Sequence, residues 1–220
     1  MLKLYDYWRS SASYRMRIAL NLKRVAYETE EVSLHPDHLA QNSDEYRAIN
    51  PQMRVPSIEI DGKVFGQSMA LIEWLDETIP NPALLPSDPI ARLSARAFAD
   101  IVACDIHPLN NSSVLKYLRE KFAADAETVG TWYGTWITRG FEALEALAPK
   151  SGNFLFGEAP GLAEICLVPQ ISNARRFNID LSAFPRLLEV DAACAQIPAF
   201  SNASPETVKP AYFRCADFKT

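Results

Sequence analysis

The sequence has few of the residues that hold metal ions or form dithiol centres. Only four of its 220 residues are cysteine and only three are histidine. The cysteines are scattered, at Cys104, Cys166, Cys194 and Cys215. They form no C-x-x-C pair, which excludes the common zinc and dithiol motifs, so free thiols in a reducing compartment are expected. His35 and His38 lie in a polar stretch broken by a proline, which favours a loop over a metal site, and we predict no metal.

Long apolar runs and surplus positive charge are also lacking. No stretch approaches the ~20 apolar residues that cross a bilayer. The chain begins with a strand-like run in place of an apolar signal segment. Its formal net charge is −5, which provides no bulk attraction to nucleic acid or to an anionic membrane. We therefore expect a cytoplasmic protein with no nucleic-acid partner and no membrane partner.

A hydroxyl-rich segment stands between a predicted strand, 2–6, and a predicted helix, 11–23. Ser10, Ser11 and Ser13 lie at the start of this helix. Serines at such a position cap the helix and leave backbone N–H groups and the positive dipole end facing outward. The arrangement suits an anion, whether phosphate, carboxylate or thiolate. From these residues alone, an N-cap with no ligand is an equally good interpretation.

The first 80 residues alternate between strands and helices. Strands are predicted at 2–6, 27–32, 57–60 and 63–65, and helices at 11–23, at 37–49 and from 68 onward. Asp61-Gly62, between the last two strands, is the strongest short hairpin signal. The earlier strands need crossover connections, so the sheet should be mixed. Residues 1–80 are therefore predicted to form a compact α/β domain.

A proline-rich segment, 80–89, separates this domain from a second half that is helical almost throughout. Four prolines in ten residues cannot continue a helix. Helices are then predicted at 89–122 with a bend near Pro108, at 125–149, 162–177 and 185–195, and briefly at 198–200. Gly161 and Glu164 form a possible capping box, and 203–220 should be a loose tail. The predicted organisation is a first domain 1–80, a linker 81–88 and an all-α domain 89–220.

The motifs of the two halves occur in an order that is typical of one family. The helix start reads S-S-A-S-Y-R-M-R-I-A-L over 10–20, which resembles the S-S-C-S-x-R-V-R-I-A-L signature of zeta-class glutathione transferases. The match continues through Asn50-Pro51, Val55-Pro56, Gln67-Ser68, 72–75, 105–111 and 167–177. It covers nearly the whole chain. The class includes the maleylacetoacetate isomerases and the maleylpyruvate isomerases.

The resemblance implies the glutathione transferase fold, with a thioredoxin-like N-terminal domain built on a four-stranded sheet and an all-helical C-terminal domain. It also implies glutathione as cofactor. A cis peptide at Val55-Pro56 would let the Val55 backbone pair with the cysteinyl part of glutathione, whereas the residues alone favour a trans proline that opens a strand. Gln67 and Ser68 would hold its γ-glutamyl carboxylate, although Ser68 could simply be an N-cap. The implied glutathione-binding residues are Ser10, Ser11, Arg15, Val55, Gln67, Ser68, His107 and Asn111.

The resemblance also implies a small acidic second substrate. Arg9 and Arg176 would bind its carboxylates, because the guanidinium fork suits them. Arg175 is interpreted as a surface charge. His107 would contact the substrate or glutathione, and a buried histidine with its bonds satisfied is an equal alternative. In the implied homodimer, with contacts near Trp74 and the 92–105 face, the partner subunit's Asp105 would receive the γ-glutamyl amine or would simply be solvated.

The implied activity is glutathione-dependent cis–trans isomerisation of maleylacetoacetate or maleylpyruvate in aromatic catabolism. Ser10 is the first choice and Ser11 the second for stabilising the thiolate, and Arg176 completes the implied catalytic set. The family often has a cysteine where this chain has Ala12, and alanine can neither donate nor attack. A general transferase that conjugates or dehalogenates small electrophiles is therefore the alternative enzyme. A binding module with the same fold is the non-enzyme alternative.

Overall fold

The computed structural model describes residues 2–35 and 38–211 of the chain. Its backbone contacts divide these residues into two compact units. The first contains the described residues up to Pro82 together with those from Gln196 onward, and the second is Ala83–Ala195. Among the described residues, no helix is long and apolar enough to cross a membrane.

The first unit is built on a four-stranded mixed sheet, as the sequence predicts. Its strands are β1 (Leu2–Asp6), β2 (Tyr27–Glu31), β3 (Ser57–Ile60) and β4 (Lys63–Gly66). Their order is β2-β1-β3-β4, with β1 parallel to β2 and antiparallel to β3, and β3 antiparallel to β4. Asp61 and Gly62 turn between β3 and β4 with positive φ angles of 49° and 75°. This backbone geometry is the reason for an Asp-Gly hairpin.

Three α-helices complete the α/β part of this unit. They are α1 (Ser11–Leu22), α2 (Asp44–Ile49) and α3 (Ser68–Thr78), with a 3₁₀ turn at Ala40–Asn42 before α2. The predicted helix 37–49 is too long, and its residue 37 lies outside the described residues. Ser43 is extended and its hydroxyl accepts a hydrogen bond from the Tyr46 N–H at 3.1 Å. A side-chain cap of this kind starts a helix, so α2 cannot extend further back.

The C-terminal segment differs from the prediction of a loose tail within a second domain 89–220. It contains α10 (Pro198–Ser201) and α11 (Pro205–Val208), and it packs in the first unit. Three side chains of α1 donate to its backbone: the Tyr14 hydroxyl to Phe200 O, Arg17 Nε to Ala203 O and Asn21 Nδ2 to Ala199 O. These long-range hydrogen bonds hold the segment, and they leave no local pattern in the sequence. The predicted tail residues 212–220 lie outside the described residues.

The second unit is entirely helical in its regular structure. It contains α4 (Pro89–Asp100), a π-helical segment (Ile101–Ile106), α5 (His107–Asn110), α6 (Ser112–Phe122), α7 (Ala126–Leu147), α8 (Leu162–Arg176) and α9 (Pro185–Ala195). The predicted helix 89–122 is interrupted at Asn111, and a π-helical segment ends just before Pro108, where the bend was predicted. Asn111 is extended, and its Oδ1 accepts from the N–H groups of Ser113 and Val114 at 3.0 and 3.2 Å. A new N-cap therefore ends one helix and begins the next.

The predicted capping box and central helix α8 are confirmed. Glu164 accepts hydrogen bonds from the N–H groups of Gly161 at 2.7 Å and Leu155 at 2.6 Å. Burial raises the pKa of Glu164, and these two donors oppose the rise. A Cβ atom at Gly161 would overlap the carbonyl oxygen of Leu84, which accepts from Leu162 N at 2.8 Å. Leu84 thus packs within the second unit, which begins at Ala83.

Candidate functional site

The register of the sheet brings three predicted site segments to one end of neighbouring strands. Tyr5 near the end of β1 pairs with Ser57 at the start of β3, and Ser57 pairs with Gly66 at the end of β4. Ser10 follows β1, Val55 precedes β3, and Gln67 follows β4. Because these strands are adjacent, the residues that continue from their ends emerge at the same edge of the first unit. The structure therefore collects the predicted glutathione-binding segments of this unit at one edge.

Ser10 is both a cap and a candidate donor. It is extended, with φ −71° and ψ 122°, and its Oγ accepts a hydrogen bond from the Ser13 N–H at 3.2 Å. A hydroxyl that accepts in this way keeps its own proton to donate elsewhere. Ser11, the first residue of α1, is buried. The N-cap interpretation is thus confirmed, and it is compatible with stabilisation of a thiolate at the same helix start.

Arg15 is the observation that most directly tests whether an anionic cofactor fits here. Its side chain is 3% exposed, and among the described residues its Nε and Nη1 have no hydrogen-bond partner. Burying a guanidinium in this way is costly unless an anion or other acceptor pairs with it. Glutathione carries two carboxylates and a thiolate, so the donor set of α1 fits it. Arg17, two residues later, instead makes an ion pair with Asp6 inside the protein.

The segment that presents Val55 is held by a buried polar network. The peptide between Val55 and Pro56 is cis, as the resemblance implies. Asn50 Nδ2 donates to Arg54 O and to Ser57 Oγ, both at 2.8 Å. The Tyr46 hydroxyl donates to the same Arg54 carbonyl at 2.8 Å. These bonds anchor the segment on both sides of Val55.

Helix α3 begins without a side-chain cap. Its N-cap residue is Gln67, whose backbone has a left-handed φ of 69°, and no side-chain hydrogen bond caps the helix. The interpretation of Ser68 as the N-cap is therefore wrong, because Ser68 is the first helical residue. The Gln67 side chain donates instead to Gln52 Oε1 at 2.9 Å. An uncapped helix start suits a carboxylate, and a strained non-glycine backbone often marks a functional position.

Two positively charged side chains lie near the ring of Trp8, next to the loop that contains Ser10. The Arg9 guanidinium lies 5.8 Å from the centroid of the Trp8 ring, and Lys209 Nζ lies 5.2 Å from the same ring. Arg9 is a predicted substrate-binding residue. Lys209 is not, because the sequence predicts a tail at this position and contains no signal that would bring it to the site. The structure thus adds a cation to this edge of the first unit.

The other predicted site residues lie in the second unit. His107, the first residue of α5, is half-buried, and Asp105 is exposed on the π-helical segment. Asn111 uses its side chain to cap α6. Arg175 is exposed and its Nη1 lies 2.7 Å from Oδ2 of the buried Asp191, and its interpretation as a surface charge stays a prediction. Arg176 is exposed, and its guanidinium lies 5.2 Å from the centroid of the Phe177 ring.

Burial raises the pKa of Asp191, and Arg175 opposes the rise.

Among the described residues, no group of three or more His, Cys, Asp or Glu side chains is arranged to hold a metal ion.

Comparison with known proteins assigns this fold and site to a class. Residues 4–83 match the family model for the N-terminal domain of glutathione S-transferases. A maleylpyruvate isomerase from Ralstonia sp is 50% identical over 208 residues, which are 93% of this chain and 97% of that protein. The holo structure of a maleylpyruvate isomerase, described as a bacterial zeta-class glutathione S-transferase, has a TM-score of 0.91 and 48% identity, covering 94% of this chain and 98% of its own.

A maleylacetoacetate isomerase from Methylobacterium extorquens AM1, crystallised with bound malonate and glutathione, has a TM-score of 0.89 at 35% identity and covers 93% of this chain and 97% of its own. The fold is that of the glutathione S-transferases, as the sequence predicts. The chain belongs to the zeta class of this family, which contains the maleylpyruvate and maleylacetoacetate isomerases.

Proposed function

We propose that this protein is a glutathione-dependent isomerase that converts a small cis-unsaturated diacid, maleylpyruvate or maleylacetoacetate, to its trans isomer in the breakdown of aromatic compounds. The observation that carries the proposal is Ser10, which caps α1 at the edge where β1, β3 and β4 present their site segments. The maleylpyruvate isomerase and the maleylacetoacetate isomerase that match nearly the full length of the chain are named for this activity.

Glutathione, when bound, supplies a thiolate that adds to the cis double bond and leaves again after rotation about the resulting single bond. The Ser10 hydroxyl, with Ser11 beside it, donates to the sulfur and favours its anionic form. Val55 offers its backbone to the cysteinyl part, and the start of α3 at Gln67-Ser68 receives the γ-glutamyl carboxylate. Arg15 supplies the buried guanidinium that pairs with a carboxylate. His107 and Asn111 complete the binding set on the resemblance alone.

The substrate is acidic, and arginine binds carboxylates well because its planar fork can donate twice. We assign this role to Arg176, with Arg9 and His107 as further substrate-binding residues. Positioning of the diacid and neutralisation of developing negative charge are what these side chains contribute to the rate.

Ala12 supports a second candidate function. Where the class often has a cysteine in the first turn of α1, this chain has a side chain without a reactive group. A zeta-like transferase that conjugates or dehalogenates small electrophiles needs only the glutathione thiolate. Such an enzyme would keep Ser10 and the α3 start and lose its preference for diacids.

A homodimer in the cytoplasm is the setting that we propose for this activity. Ile90 and Leu93 on α4 are 70% and 61% exposed, although both are large and apolar. Covering them with a second copy would remove apolar surface from water. The partner subunit's Asp105 would then receive the γ-glutamyl amine. Cys166 and Cys194 are buried and in no disulfide, which is compatible with a reducing compartment.

The test compares Ser10→Ala with Ser43→Ala in a glutathione-dependent absorbance assay on both diacids. Ser43 caps α2 as Ser10 caps α1, so each change removes one N-cap bond, worth about 1 kcal/mol. We expect Ser10→Ala alone to lower kcat about a hundredfold and to raise the pKa of the bound thiol towards its free value. Equal turnover in the two variants would remove Ser10 from the chemistry. Absence of turnover on both diacids, with conjugation of a haloacid, would favour the transferase.

A further inference from the structure

Two adjacent arginines at the end of α8 are held in different ways. Arg175 makes an ion pair with the Asp191 carboxylate at 2.7 Å, so its charge is neutralised within the second unit. Arg176 lies over an aromatic ring, with its guanidinium carbon 5.2 Å from the centroid of Phe177. A ring orients a guanidinium through its face without cancelling its charge. This contact therefore orients the guanidinium of Arg176 without neutralising its charge.

The Phe177 ring is itself fixed by a buried tyrosine of α7. The rings of Tyr133 and Phe177 are stacked, with centroids 3.6 Å apart and planes inclined by 13°. Tyr133 is 1% exposed, and its backbone carbonyl accepts a hydrogen bond from Asn110 Nδ2 at 3.2 Å. The neighbouring Trp132 Nε1 donates to Leu109 O at 2.8 Å. The tyrosine thus sits on a helix that is anchored to α5 at this level.

The hydroxyl of Tyr133 also meets Arg176 directly. Burial raises the pKa of Tyr133, whereas the charge of Arg176 and a hydrogen bond with its side chain lower that pKa. Because burial prevails, the phenol stays neutral at physiological pH, and its oxygen is an acceptor for the guanidinium. Arg176 is consequently oriented both by the phenol of Tyr133 and by the ring of Phe177.

We propose that Tyr133 is a positioning residue, which acts with Phe177 to fix the direction of the Arg176 guanidinium and so sets the affinity for the carboxylate of the substrate. This inference rests on the proposed function in one respect, the binding of a carboxylate by Arg176. An exposed arginine loses conformational freedom when it grips a ligand. The Tyr133 hydroxyl and the Phe177 ring remove part of that freedom beforehand, which strengthens binding without touching the reacting atoms.

The decisive variant is Tyr133→Phe, which keeps the stacked ring and removes only the hydroxyl. Malonate, a small dicarboxylate, serves as the probe in calorimetric titrations of the full-length protein loaded with glutathione. We expect its Kd to rise about threefold to tenfold, as for loss of one hydrogen bond. With the diacid that the protein turns over, KM should rise by the same factor, while kcat stays within about twofold. The reason is that the lost contact holds the bound substrate and the transition state equally well.

A double-variant cycle shows whether Tyr133 acts through Arg176. In the Arg176→Ala background, Tyr133→Phe should have no further effect on malonate binding, because residues that share one interaction are not additive. Ile137 is fully buried one turn later on α7, so Ile137→Val controls for a general loosening of this helix. Tyr117→Phe, exposed on α6, controls for loss of a phenol. Both controls should bind malonate as the unaltered protein does.

Three results would overturn the inference. The first is an unchanged Kd for malonate in Tyr133→Phe. The second is an equal effect of Tyr133→Phe with and without Arg176. The third is failure of Arg176→Ala to weaken malonate binding, since Tyr133 would then have no carboxylate ligand to orient. If malonate binding responds as expected but neither maleyl diacid is isomerised, the positioning role stands and the proposed substrate is wrong.

Discussion

The Arg17 guanidinium and the Asp6 carboxylate form a buried ion pair beneath the site, with Nη1 2.6 Å from Oδ1 and 2.9 Å from Oδ2. Nη2 donates to Trp8 O at 3.0 Å, and Nε donates to Ala203 O at 2.9 Å. One side chain of α1 therefore ties together the end of β1, the loop that leads to Ser10, and the C-terminal segment. The position of Ser10 depends on this pair.

Breaking the pair should destabilise the first unit strongly. Arg17→Met leaves the Asp6 carboxylate buried without its counter-charge, which typically costs about 3–5 kcal/mol. Urea denaturation followed by circular dichroism measures the loss. Lys3→Met is the matched control, because Lys3 also pairs with an acid, Glu30 at 3.2 Å, but at the surface, where screening by water makes the effect small. Similar urea midpoints for the two variants would contradict a structural role for Arg17.

Glycine should be required at the start of α8. In Gly161→Ala, the new Cβ would overlap the Leu84 carbonyl and push apart the hydrogen bond from Leu162 N. Overpacking of this kind costs about 1–3 kcal/mol. Gly130→Ala on α7 is the control, since its Cβ meets no atom within 4 Å, and a helical alanine there should stabilise by up to about 1 kcal/mol. Thermal unfolding should therefore shift in opposite directions for the two variants, and a shift in the same direction would refute the packing explanation.

The alkaline limit of stability should depend on Tyr5. Burial, aided by the hydrogen bond from its hydroxyl to Glu59 Oε2 at 2.8 Å, raises the pKa of Tyr5 from 10.0 to about 12. The folded state therefore holds this proton more tightly than the unfolded state. The resulting stability is fully present below pH 10, and it is lost as the pH rises towards 12.

Urea midpoints measured across this pH range should fall more steeply for the unaltered protein than for Tyr5→Phe, which has no phenol to ionise. Tyr117→Phe, at an exposed position, should follow the unaltered protein. Parallel curves for all three proteins would show that Tyr5 does not set the limit.

A cysteine placed at Ala12 should be unusually reactive. Position 12 lies in the first turn of α1, where the helix dipole and nearby donors favour a thiolate. Its pKa should fall below the ordinary value of about 8.5, whereas burial raises the pKa of Cys194. The rate of alkylation of Ala12→Cys as a function of pH measures this difference against the background of the unaltered protein. Alkylation no faster than that background at neutral pH would show that the helix start does not stabilise a thiolate.

Much of the site could be predicted from the sequence because its signals are local. The serines at the start of α1 and the Asp61-Gly62 turn act within a few residues, and both were predicted correctly. The break at Asn111 was missed, although its cap is local too, because the apolar spacing continues across it. Lys209 was missed for a different reason, since its contact with Trp8 joins residues from opposite ends of the chain.

The sequence by itself determined the mixed sheet, the helical second half, the hydroxyl-rich helix start and the family. These follow from hydrophobic periodicity, turn chemistry and ordered motifs, which are properties of neighbouring residues. Only the tertiary structure decided that the C-terminal segment packs on α1. It also decided that Arg17 forms an ion pair with Asp6. Arg15, in contrast, is buried, and its Nε and Nη1 have no hydrogen-bond partner among the described residues. Two arginines with the same local pattern differ because a buried charge takes its role from the partner that the fold brings to it.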